Sequence, residues 1–486
     1  MKFKQFSDHE IYFKLLLIGQ FILITTILPG CSTYRPWANQ MATHVEKKSP
    51  ASEASKPIRP MIVAVTLSGG GARAAAFGLG VLRELKSSQF SLNGKKTTLL
   101  DEVSLISGVS GGSILAAHFA AFGDETLSKF ESDFLLQPFE DRLLRQALWP
   151  TGLYRLTSPW YGRTHLLAER LDTLYQGMTF EDVRKRPNAP ELIITATDLT
   201  TGAPFDFTPE QFARICSDLG ETPLSFAVAA SSAVPVILSP MTLKNFANDC
   251  PPDYFIPNVD TKGSDYRARM LRKTTETYRN SLERPFIHLV DGGVVDNLGV
   301  RMILDSIAAS GSMSTALQGS ESGTIRRVVL ITVNSERALS VRVDASDKTP
   351  TIPQVLESLL YGAGARITQS TLAMLDDDLQ LRREEILQTR GLPDSPFASD
   401  AELHVVTVSL HDVSDDKIRH SLLRVPTAFT VEAQDVNDLL EAGSEAVRNS
   451  VSMKKLMQSL EGTSKNLPPP LLVRLHRPEF SRSPAR

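Results

Sequence analysis

The spacing of apolar and polar positions predicts two consecutive strand–loop–helix units near the start of the folded chain. Residues 61–67 form a continuous apolar, β-branched run, and residues 103–106 form a second, shorter apolar run. A glycine-rich segment follows each run, and an apolar pattern that favours a helix follows each glycine-rich segment. Strands that alternate with helices are typical of α/β proteins. We therefore expect each run to be a buried strand that ends at a glycine-rich loop.

The later part of the chain predicts more elements of the same kinds. Strands are expected at 286–290, 328–333 and 404–410, and helices at 301–310, 357–388 and 431–457. Gly311 is expected to end the first of these helices, because glycine readily adopts the left-handed conformation after a helix. The pattern contains no internal repeat and no further motif, so these elements are expected to extend or cover the same sheet.

Residues 134–160 allow two interpretations. They are rich in Phe, Leu, Trp and Tyr, with arginines between them. The pattern favours helices that pack on the sheet as part of the core. The alternative is a lid or a segment that contacts lipid, because aromatic and basic residues together are typical of interfacial helices.

Residues 1–30 are expected to be a signal peptide. Residues 15–28 carry no charge; they are too few to span a membrane comfortably, and they suit the apolar core of a signal peptide. They lead into Leu-Pro-Gly-Cys, which resembles a bacterial lipobox, and this resemblance implies that Cys31 is lipidated and becomes the N-terminus. An uncleaved anchor, or an ordinary secretory signal with an incidental cysteine, is the alternative.

Residues 31–60 predict a tether. They are polar, contain scattered Pro, Ser, Ala and Lys, and have no periodicity. Ser32 follows the cysteine where an aspartate would signal inner-membrane retention, so the lipobox resemblance implies the outer membrane in an organism with two. We expect a lipid-anchored protein of the cell envelope, with a folded domain at 61–460 and a Pro/Arg-rich tail at 461–486.

Composition and cysteine usage limit the partners and cofactors. The 486 residues carry a net charge of −3, and nothing in the chain points to nucleic acid as a partner. Besides Cys31 the chain has Cys216 and Cys250, and in an exported protein two such cysteines more often pair than stay free. Two buried thiols are the alternative. No Cys or His lies at ligand spacing around them, so we expect no metal site and no cofactor.

The second strand–loop–helix unit carries the pattern G-x-S-x-G at residues 108–112. A serine on such a turn has a strained backbone, and a Cβ two positions away would collide with the turn. The following helix points its N–H groups and its positive dipole end at any anion formed there. The pattern predicts that Ser110 is reactive; a plain glycine-rich loop is the alternative.

The first unit carries Ser-Gly-Gly-Gly-Ala-Arg at residues 68–73. Three glycines before a helix leave backbone N–H groups uncovered, as a phosphate cradle or an oxyanion hole requires. A phosphate-binding P-loop has Gly-Lys-Ser/Thr after four spacers, whereas Arg73 stands two residues after the last glycine. The reactive serine predicted in the next strand–loop–helix unit, Ser110, favours an oxyanion hole over a phosphate cradle or a tight turn without a ligand.

A reactive serine needs a group that takes its proton, and the histidines give only a weak signal for it. His118 lies about 12 Å along the helix that follows Ser110, too far to touch the turn. His288 lies within a predicted strand. The late histidines occur in the order of an α/β-hydrolase, but none lies beside a glycine turn; they are His404, His411, His420 and His476.

A carboxylate gives the better signal. Asp291 follows the predicted strand 286–290 directly and precedes two glycines, and open α/β sheets place their chemistry at strand ends. If partial burial raises its basicity, a carboxylate can accept the serine proton directly. A capping or turn aspartate is the alternative, and the nearby Asp296 is a competing candidate for the same role.

Three motifs in this order resemble the patatin-like phospholipase family: the glycine loop at 69–73, the serine turn at 108–112 and Asp-Gly-Gly at 291–293. The small-residue segment at 229–235 and the strand and turn at 197–207 are also similar to segments of that family. The resemblance covers residues 62–300. The three motifs in one order are far more specific than any one of them.

The resemblance implies a three-layer α/β/α sandwich around a mostly parallel sheet. It implies that Ser110 is the nucleophile and that Asp291 takes its proton without a histidine. Gly70 and Gly71 would supply oxyanion N–H donors, and Arg73 would support their loop. The implied reaction is hydrolysis of lipid esters, commonly phospholipid esters, through an acyl-enzyme and without a metal.

Two other functions stay open from the sequence. One is an envelope protein that keeps the fold only to bind lipid, although a binding protein has no need of a strained serine turn. The other is a serine esterase that uses a late histidine in a Ser-His-Asp triad.

Overall fold

The computed structural model describes residues 34–36, 39–42, 59–251, 266–317, 320–337, 344, 346–358 and 362–465. The predicted signal peptide, Cys31, most of the tether and residues 466–486 lie outside this part of the chain, so the structure does not test those predictions.

The described strands, numbered in chain order, range from two residues to 13 residues in length. They are β1 (Gln40–Met41), β2 (Met61–Leu67), β3 (Gln89–Leu92), β4 (Lys95–Thr98), β5 (Val103–Val109), β6 (Glu191–Asp198), β7 (Ala203–Asp206), β8 (Ser217–Asp218), β9 (Met241–Lys244), β10 (Phe286–Val290), β11 (Ile325–Asn334) and β12 (Phe397–Ser409).

The helices are mostly short, and α14 is the longest described. They are α1 (Gly71–Ser87), α2 (Gly111–Phe122), α3 (Glu125–Phe130), α4 (Phe139–Leu148), α5 (Pro150–Leu156), α6 (Arg163–Tyr175), α7 (Phe180–Lys185), α8 (Pro209–Arg214), α9 (Leu224–Ser231), α10 (Tyr266–Tyr278), α11 (Arg301–Ser310), α12 (Met313–Ala316), α13 (Ile352–Glu357), α14 (Ala363–Thr389), α15 (Asp416–Leu422), α16 (Ala433–Asn449) and α17 (Val451–Lys465). Among the described residues, none of them combines the length and the apolar character needed to cross a bilayer.

The main sheet has eight strands within the described residues, in the order β12-β11-β2-β5-β6-β10-β9, with β7 paired to β6. The strands from β12 to β6 pair parallel to one another. β10 pairs antiparallel with both β6 and β9, and β7 pairs antiparallel with β6. The glycine loop and the serine turn therefore emerge side by side from the carboxyl ends of the adjacent strands β2 and β5.

Helices cover both faces of this sheet, as the alternation along β2 shows. Met61, Val63 and Val65 are fully buried in a core that includes residues of α1, α2, α6, α9 and α16. Ile62 and Ala64 point to the second face, where they pack on a smaller cluster with residues of α11 and α14. The predicted three-layer α/β/α sandwich around a mostly parallel sheet is confirmed.

Most predicted elements are present, with boundaries shifted by a few residues. Gly311 ends α11 in the left-handed conformation, at φ 81°, as predicted. The helix predicted over 357–388 is observed as α14, which begins at Ala363 and ends at Thr389, and the helix predicted over 431–457 is observed as α16 and α17. Helices α16 and α17 meet at Ser450, whose extended ψ of 124° ends α16.

The prediction that residues 134–160 form core helices is wrong for most of that stretch. Phe134, Leu135 and Phe139 are buried in the first core. Along α4 and α5, by contrast, only Phe139 and Gly152 are buried. Most of the other large apolar side chains of these two helices are exposed, so apolar content did not indicate burial here.

A disulfide joins Cys216 and Cys250, whose Cα atoms are 5.6 Å apart. Beside it, β1 pairs with β8, and Asn39 donates hydrogen bonds to Ser217 Oγ and to the Lys244 carbonyl. The disulfide closes a sequence separation of 34 residues across the β8–β9 edge of the fold. It therefore restricts the unfolded chain and fastens this edge in the folded one.

Replacing both Cys216 and Cys250 with serine is expected to lower the free energy of unfolding by about 2–4 kcal/mol, because the loop constraint on the unfolded chain is lost. Chemical denaturation with and without a thiol reductant measures this. The reductant should destabilise the wild type by a similar amount and leave the double variant unchanged. Equal stability of reduced and oxidised wild type would contradict a stabilising disulfide.

Candidate active site

Ser110 lies on the turn between β5 and α2, in a backbone conformation that a residue with a Cβ rarely adopts, at φ 49° and ψ −122°. The glycines around it make this turn possible. A Cβ at Gly108 would come 2.6 Å from Ser113 Cα, and one at Gly112 would come 2.4 Å from the Leu67 carbonyl oxygen. The G-x-S-x-G pattern therefore has the steric role predicted for it.

Hydrogen bonds hold the strained turn in place. The Ser110 N–H donates to Ser231 Oγ at 2.8 Å, and the Ser231 hydroxyl donates to the Thr195 carbonyl at 2.6 Å. The Ser113 hydroxyl donates to the Ser110 carbonyl at 2.6 Å. Both backbone groups of Ser110 are thus satisfied, which leaves its side chain free of a structural task.

The sheet register brings Asp291 to the same level as Ser110. Val109 on β5 pairs with Thr195 on β6, and Val290 on β10 pairs with Thr197 on the other side of β6. One residue further along, Ser110 and Asp291 both reach the level of Ala196, from opposite sides. The Thr197 hydroxyl donates to the Asp291 carbonyl at 2.8 Å and fixes the backbone there.

The Asp291 carboxyl is buried and poorly solvated. Burial raises its pKa to about 6, against the opposing effects of the Gly293 N–H and the Ser110 hydroxyl. The Gly293 N–H donates to Oδ1 at 2.8 Å, whereas Oδ2 has no full hydrogen bond within the described part of the chain. The Ser110 hydroxyl is close enough to act on the carboxyl pKa but lacks full hydrogen-bond geometry, and such contacts commonly tighten when substrate binds.

The glycine loop touches the serine turn directly. A Cβ at Gly111 would come 2.0 Å from the Gly71 carbonyl oxygen, so the two backbones meet with no side chain between them. Gly70 and Gly71 have φ values of 144° and 62°, which favour glycine. Among the described residues no acceptor takes the N–H groups of Gly70 and Gly71. They are free to bind an oxyanion next to Ser110.

Arg73 does not point its guanidinium at a ligand; it braces the glycine loop from behind. It is buried, and it donates to the Ser335 carbonyl at 3.0 Å and to the Val425 carbonyl at 2.6 Å. Ser335 N–H and Oγ in turn bond to Ser68 Oγ and to the Gly69 carbonyl. The supporting role predicted for Arg73 agrees with these contacts.

Asn297 links the aspartate loop to the glycine loop. Its carbonyl accepts the Gly69 N–H at 2.9 Å. Its Oδ1 would lie 2.5 Å from a Cβ at Gly69 and 3.1 Å from one at Gly293, so its side chain lies between the two loops. No role was predicted for Asn297, Ser231 or Ser335. Ser231 lies in the small-residue segment 229–235, and Ser335 directly follows a buried strand, so these two positions carried a signal in the sequence, whereas Asn297 carried none.

The competing candidates have other roles in the structure. Asp296 accepts the N–H groups of Leu298 and Arg301 and caps the start of α11. His118 is buried on α2 beside Thr126, and burial lowers its pKa to about 4.

The remaining candidate histidines bond elsewhere or lie outside the described residues. His288 contacts Thr242, His404 contacts Glu402, and His420 contacts the Asp416 carbonyl. The His411 side chain makes no polar contact within the described residues, and His476 lies beyond them. No described histidine bonds to Ser110 or Asp291.

A cavity of about 730 Å³ lies between the second face of the sheet and helices α10, α11 and α14. Its wall includes Asp206 and Asp305, and burial raises their pKa values to about 7 and about 6. Neither Ser110 nor Asp291 lines it, so it is separate from the serine site. Within the described residues no three His, Cys, Asp or Glu side chains are grouped to hold a metal ion.

Replacing Arg73 with lysine is expected to lower kcat by about 10- to 100-fold with little change in KM, because a displaced glycine loop weakens oxyanion binding. Unfolding free energy should also fall by about 1–3 kcal/mol, since a buried carbonyl loses its donor. Steady-state kinetics on a soluble ester and chemical denaturation measure the two effects. Arg83→Lys is the matched control: Arg83 lies on the same helix and bonds to the Leu127 carbonyl, away from the loop. An equal loss of kcat in both variants would contradict the bracing role.

Comparison with known proteins assigns the part of the chain that carries this site to a family. A family model described as Patatin-like phospholipase matches residues 65–304, a span that contains the glycine loop, Ser110 and Asp291. Human GIVD cytosolic phospholipase A2 is similar in structure, with 13% identity, coverage of 90% of this chain and 69% of that chain, and a TM-score of 0.44. VipD from Legionella pneumophila has 13% identity, coverage of 90% and 72%, and a TM-score of 0.27. No curated protein sequence matches the chain. On the family match, residues 65–304 form a patatin-like phospholipase domain, the domain of a family of lipid acyl hydrolases.

Proposed function

We propose that the protein hydrolyses lipid acyl esters, with phospholipids as the substrate class, through a Ser110–Asp291 dyad and an acyl-enzyme. The observation that carries the proposal is the juxtaposition of a strained serine and a buried carboxyl whose pKa is raised to about 6. The free N–H groups of Gly70 and Gly71 lie beside the same serine. Together they supply the nucleophile, base and oxyanion donors that acyl transfer requires.

The chemistry follows from these positions. Asp291 accepts the Ser110 proton as Oγ attacks the ester carbonyl, and Gly70 and Gly71 donate to the oxyanion that forms. Collapse of the tetrahedral intermediate breaks the ester bond, and the proton passes from Asp291 to the leaving alcohol. A water then attacks the acyl-enzyme with Asp291 again as base, which releases the fatty acid and restores Ser110.

The electrostatics of Asp291 suit this role. A solvated carboxylate is too weak a base to assist a serine hydroxyl, whereas burial raises the proton affinity of Asp291. The carboxyl remains ionised at neutral pH, because its pKa of about 6 still lies below it. The site needs no histidine if the carboxylate is desolvated in this way.

The same proposal covers location. A lipid anchor at Cys31 would hold the domain at a membrane of the cell envelope, which is the outer membrane in a Gram-negative organism. Residues 39–42 of the predicted tether pack on the domain, with Asn39 and Ala42 buried, so the anchor would lie close to the fold. A lipid-anchored hydrolase meets its substrate in the plane of that membrane, so the anchor and the activity support each other.

Purified wild-type protein is expected to react with a fluorophosphonate probe and to hydrolyse phospholipid esters, and Ser110→Ala should lose both because it lacks the nucleophile. In-gel fluorescence and fatty-acid release measure the two activities. Ser104→Ala is the control: Ser104 lies on the same strand, and its hydroxyl only bonds to the Val63 backbone. Turnover that survives in Ser110→Ala would overturn the dyad. A wild type that binds vesicles but neither labels nor hydrolyses would favour a lipid-binding role.

Asp291→Asn is expected to abolish hydrolysis and at the same time stabilise the fold. The folded-state pKa of about 6 exceeds the ordinary value of 3.8, so the buried charge destabilises the folded state. This loss of stability increases as pH rises from 3.8 to about 6 and is constant above that range. At pH 8 the neutral amide avoids this cost of about 1–3 kcal/mol, and below pH 4 the gain should vanish.

Thermal and chemical denaturation across this pH range measure the stability change, and fatty-acid release measures activity. Asp198→Asn is the control of opposite sign, because Asp198 is buried in an ion pair with Arg284 and its pKa is lowered. That variant should lose stability at neutral pH. A destabilised Asp291→Asn would show that Asp291 serves the fold and not the reaction.

A further inference from the structure

The helical hairpin of α4 and α5 exposes an unusual amount of large apolar surface. Its exposed large apolar residues and the tryptophan that follows them, here called the apolar face, are 40–68% exposed; they are Leu144, Leu148, Trp149, Leu153, Tyr154 and Trp160. A cluster of this kind is rare on a protein that meets only water, and it marks an interaction site.

The hairpin is built so that Trp149 lies at its tip. Trp149 separates the two helices and is the most exposed of the six, at 68%. The turn is tight, because a Cβ at Gly152 would come 2.1 Å from the Gln146 carbonyl oxygen. α5 therefore folds back against α4, and the tryptophan is presented outward on a fixed support.

One end of the hairpin is tied to the oxyanion loop. Glu140 at the start of α4 accepts the Phe429 N–H at 2.7 Å, and its own N–H donates to Thr430 Oγ1 at 3.2 Å. The neighbouring Ala428 carbonyl accepts the Ala72 N–H at 2.7 Å, directly after Gly71. The segment 428–430 thus joins α4 to the glycine loop.

The segment that follows the hairpin is linked to the aspartate. Arg163, the first residue of α6 and three residues after Trp160, donates through its guanidinium to the Val236 carbonyl at 2.8 Å. Val236 and Ile237 are themselves 62% exposed. The nearby Ala233 carbonyl accepts the Asp291 N–H at 2.9 Å. The apolar face, extended by Val236 and Ile237, is therefore connected to both sides of the catalytic site.

The charges around the apolar face are mainly positive. Residues 139–163 contain four arginines and two acidic residues. Arg155 pairs with Glu169, but Arg142, Arg145 and Arg163 form no ion pair within the described residues. Tryptophan and tyrosine next to arginines that lack ion pairs are typical of surfaces that enter the headgroup region of an anionic bilayer.

We propose that the apolar face of α4 and α5 docks on the surface of an anionic lipid bilayer and holds the serine site against its substrate. This inference rests on the proposed function, since it assumes that the substrate is a lipid in that bilayer. The occupant is a lipid surface because the face combines exposed aromatic side chains, a basic surround and ties to both loops of the active site.

The position of Trp149 gives a direct test that does not depend on activity. The chain has three tryptophans, so Trp37→Phe/Trp160→Phe leaves Trp149 as the single emitter. On vesicles of phosphatidylglycerol with brominated acyl chains, its fluorescence should shift to shorter wavelength and be quenched. Pure phosphatidylcholine vesicles should quench it less. Unquenched Trp149, or equal quenching on both lipids, would overturn docking on an anionic surface.

A kinetic test separates docking from catalysis. Leu148→Ser/Trp149→Ser/Leu153→Ser should lower hydrolysis of anionic phospholipid vesicles by about tenfold or more and change hydrolysis of a water-soluble short-chain ester by less than about twofold. The control Leu381→Ser/Leu387→Ser/Leu392→Ser removes three leucines of similar exposure on and beyond α14, and both rates should stay unchanged.

The outcomes of the two tests are distinguishable. Full vesicle hydrolysis by the first triple variant would overturn the docking proposal and leave the proposed function intact. A change in oligomeric state by that variant, with Trp149 unquenched on vesicles, would assign the face to a second copy of the chain instead. A wild type inactive on both substrates would contradict the proposed function, while Trp149 quenching would still decide docking.

Discussion

The candidate site depends on two backbone turns that touch without a side chain between them. The closest contact is at Gly71 and Gly111, where a single Cβ on Gly111 would come 2.0 Å from the Gly71 carbonyl oxygen. Because the glycine loop follows β2 and the serine turn follows the adjacent β5, parallel pairing of these two strands delivers both turns to one place. The N-termini of α1 and α2 meet there too, so their dipoles and uncovered N–H groups act on the same small volume. A side chain at Gly111 would separate the nucleophile from its oxyanion donors, and one at Gly71 would collide with the Ala428 backbone behind the glycine loop.

Burial then makes the Asp291 carboxylate a stronger base than a solvated aspartate. The cost of desolvating Asp291 appears as a raised pKa, and the same cost weakens the folded state at neutral pH. Around this strained centre the fold is well satisfied: Ser231, Ser335 and Arg73 each supply a buried polar group to a backbone atom of the two loops or of the segments behind them. A strained nucleophile that hydrogen bonds from neighbouring residues hold in place is the arrangement expected of a preorganised active site.

Local sequence signals predicted the strands, the glycine loop and the serine turn because all three are determined within a few residues. The position of Asp291 was predicted for a reason that is only partly correct. Its strand β10 runs antiparallel to β6, which would place its end at the wrong edge of the sheet, but only the last two residues of β10 pair with β6. Because the two strands overlap only at these last two residues, Asp291 lies close to Ser110, and no local sequence pattern encodes this offset. Ser231 and Asn297 escaped prediction for the same reason, since each acts through a partner more than a hundred residues away. The segment 134–160 was assigned to the core because apolar content alone does not distinguish a buried face from one that meets lipid.

The ties of the α4–α5 hairpin suggest why an exposed apolar surface persists on this protein. Segment 428–430 connects it to the oxyanion donors through the Glu140 carboxylate, and residues 233–236 connect the Arg163 guanidinium to Asp291, with hydrogen bonds of 3.0 Å or less. A force on the hairpin, such as partial insertion into a bilayer, is therefore transmitted to both loops that flank Ser110. Ser110 is only 7% exposed in the free protein, so its surface is reached only through the narrow space between these segments. A surface that binds lipid and is bonded to the segments around the nucleophile would bring the bilayer to the same segments that flank Ser110.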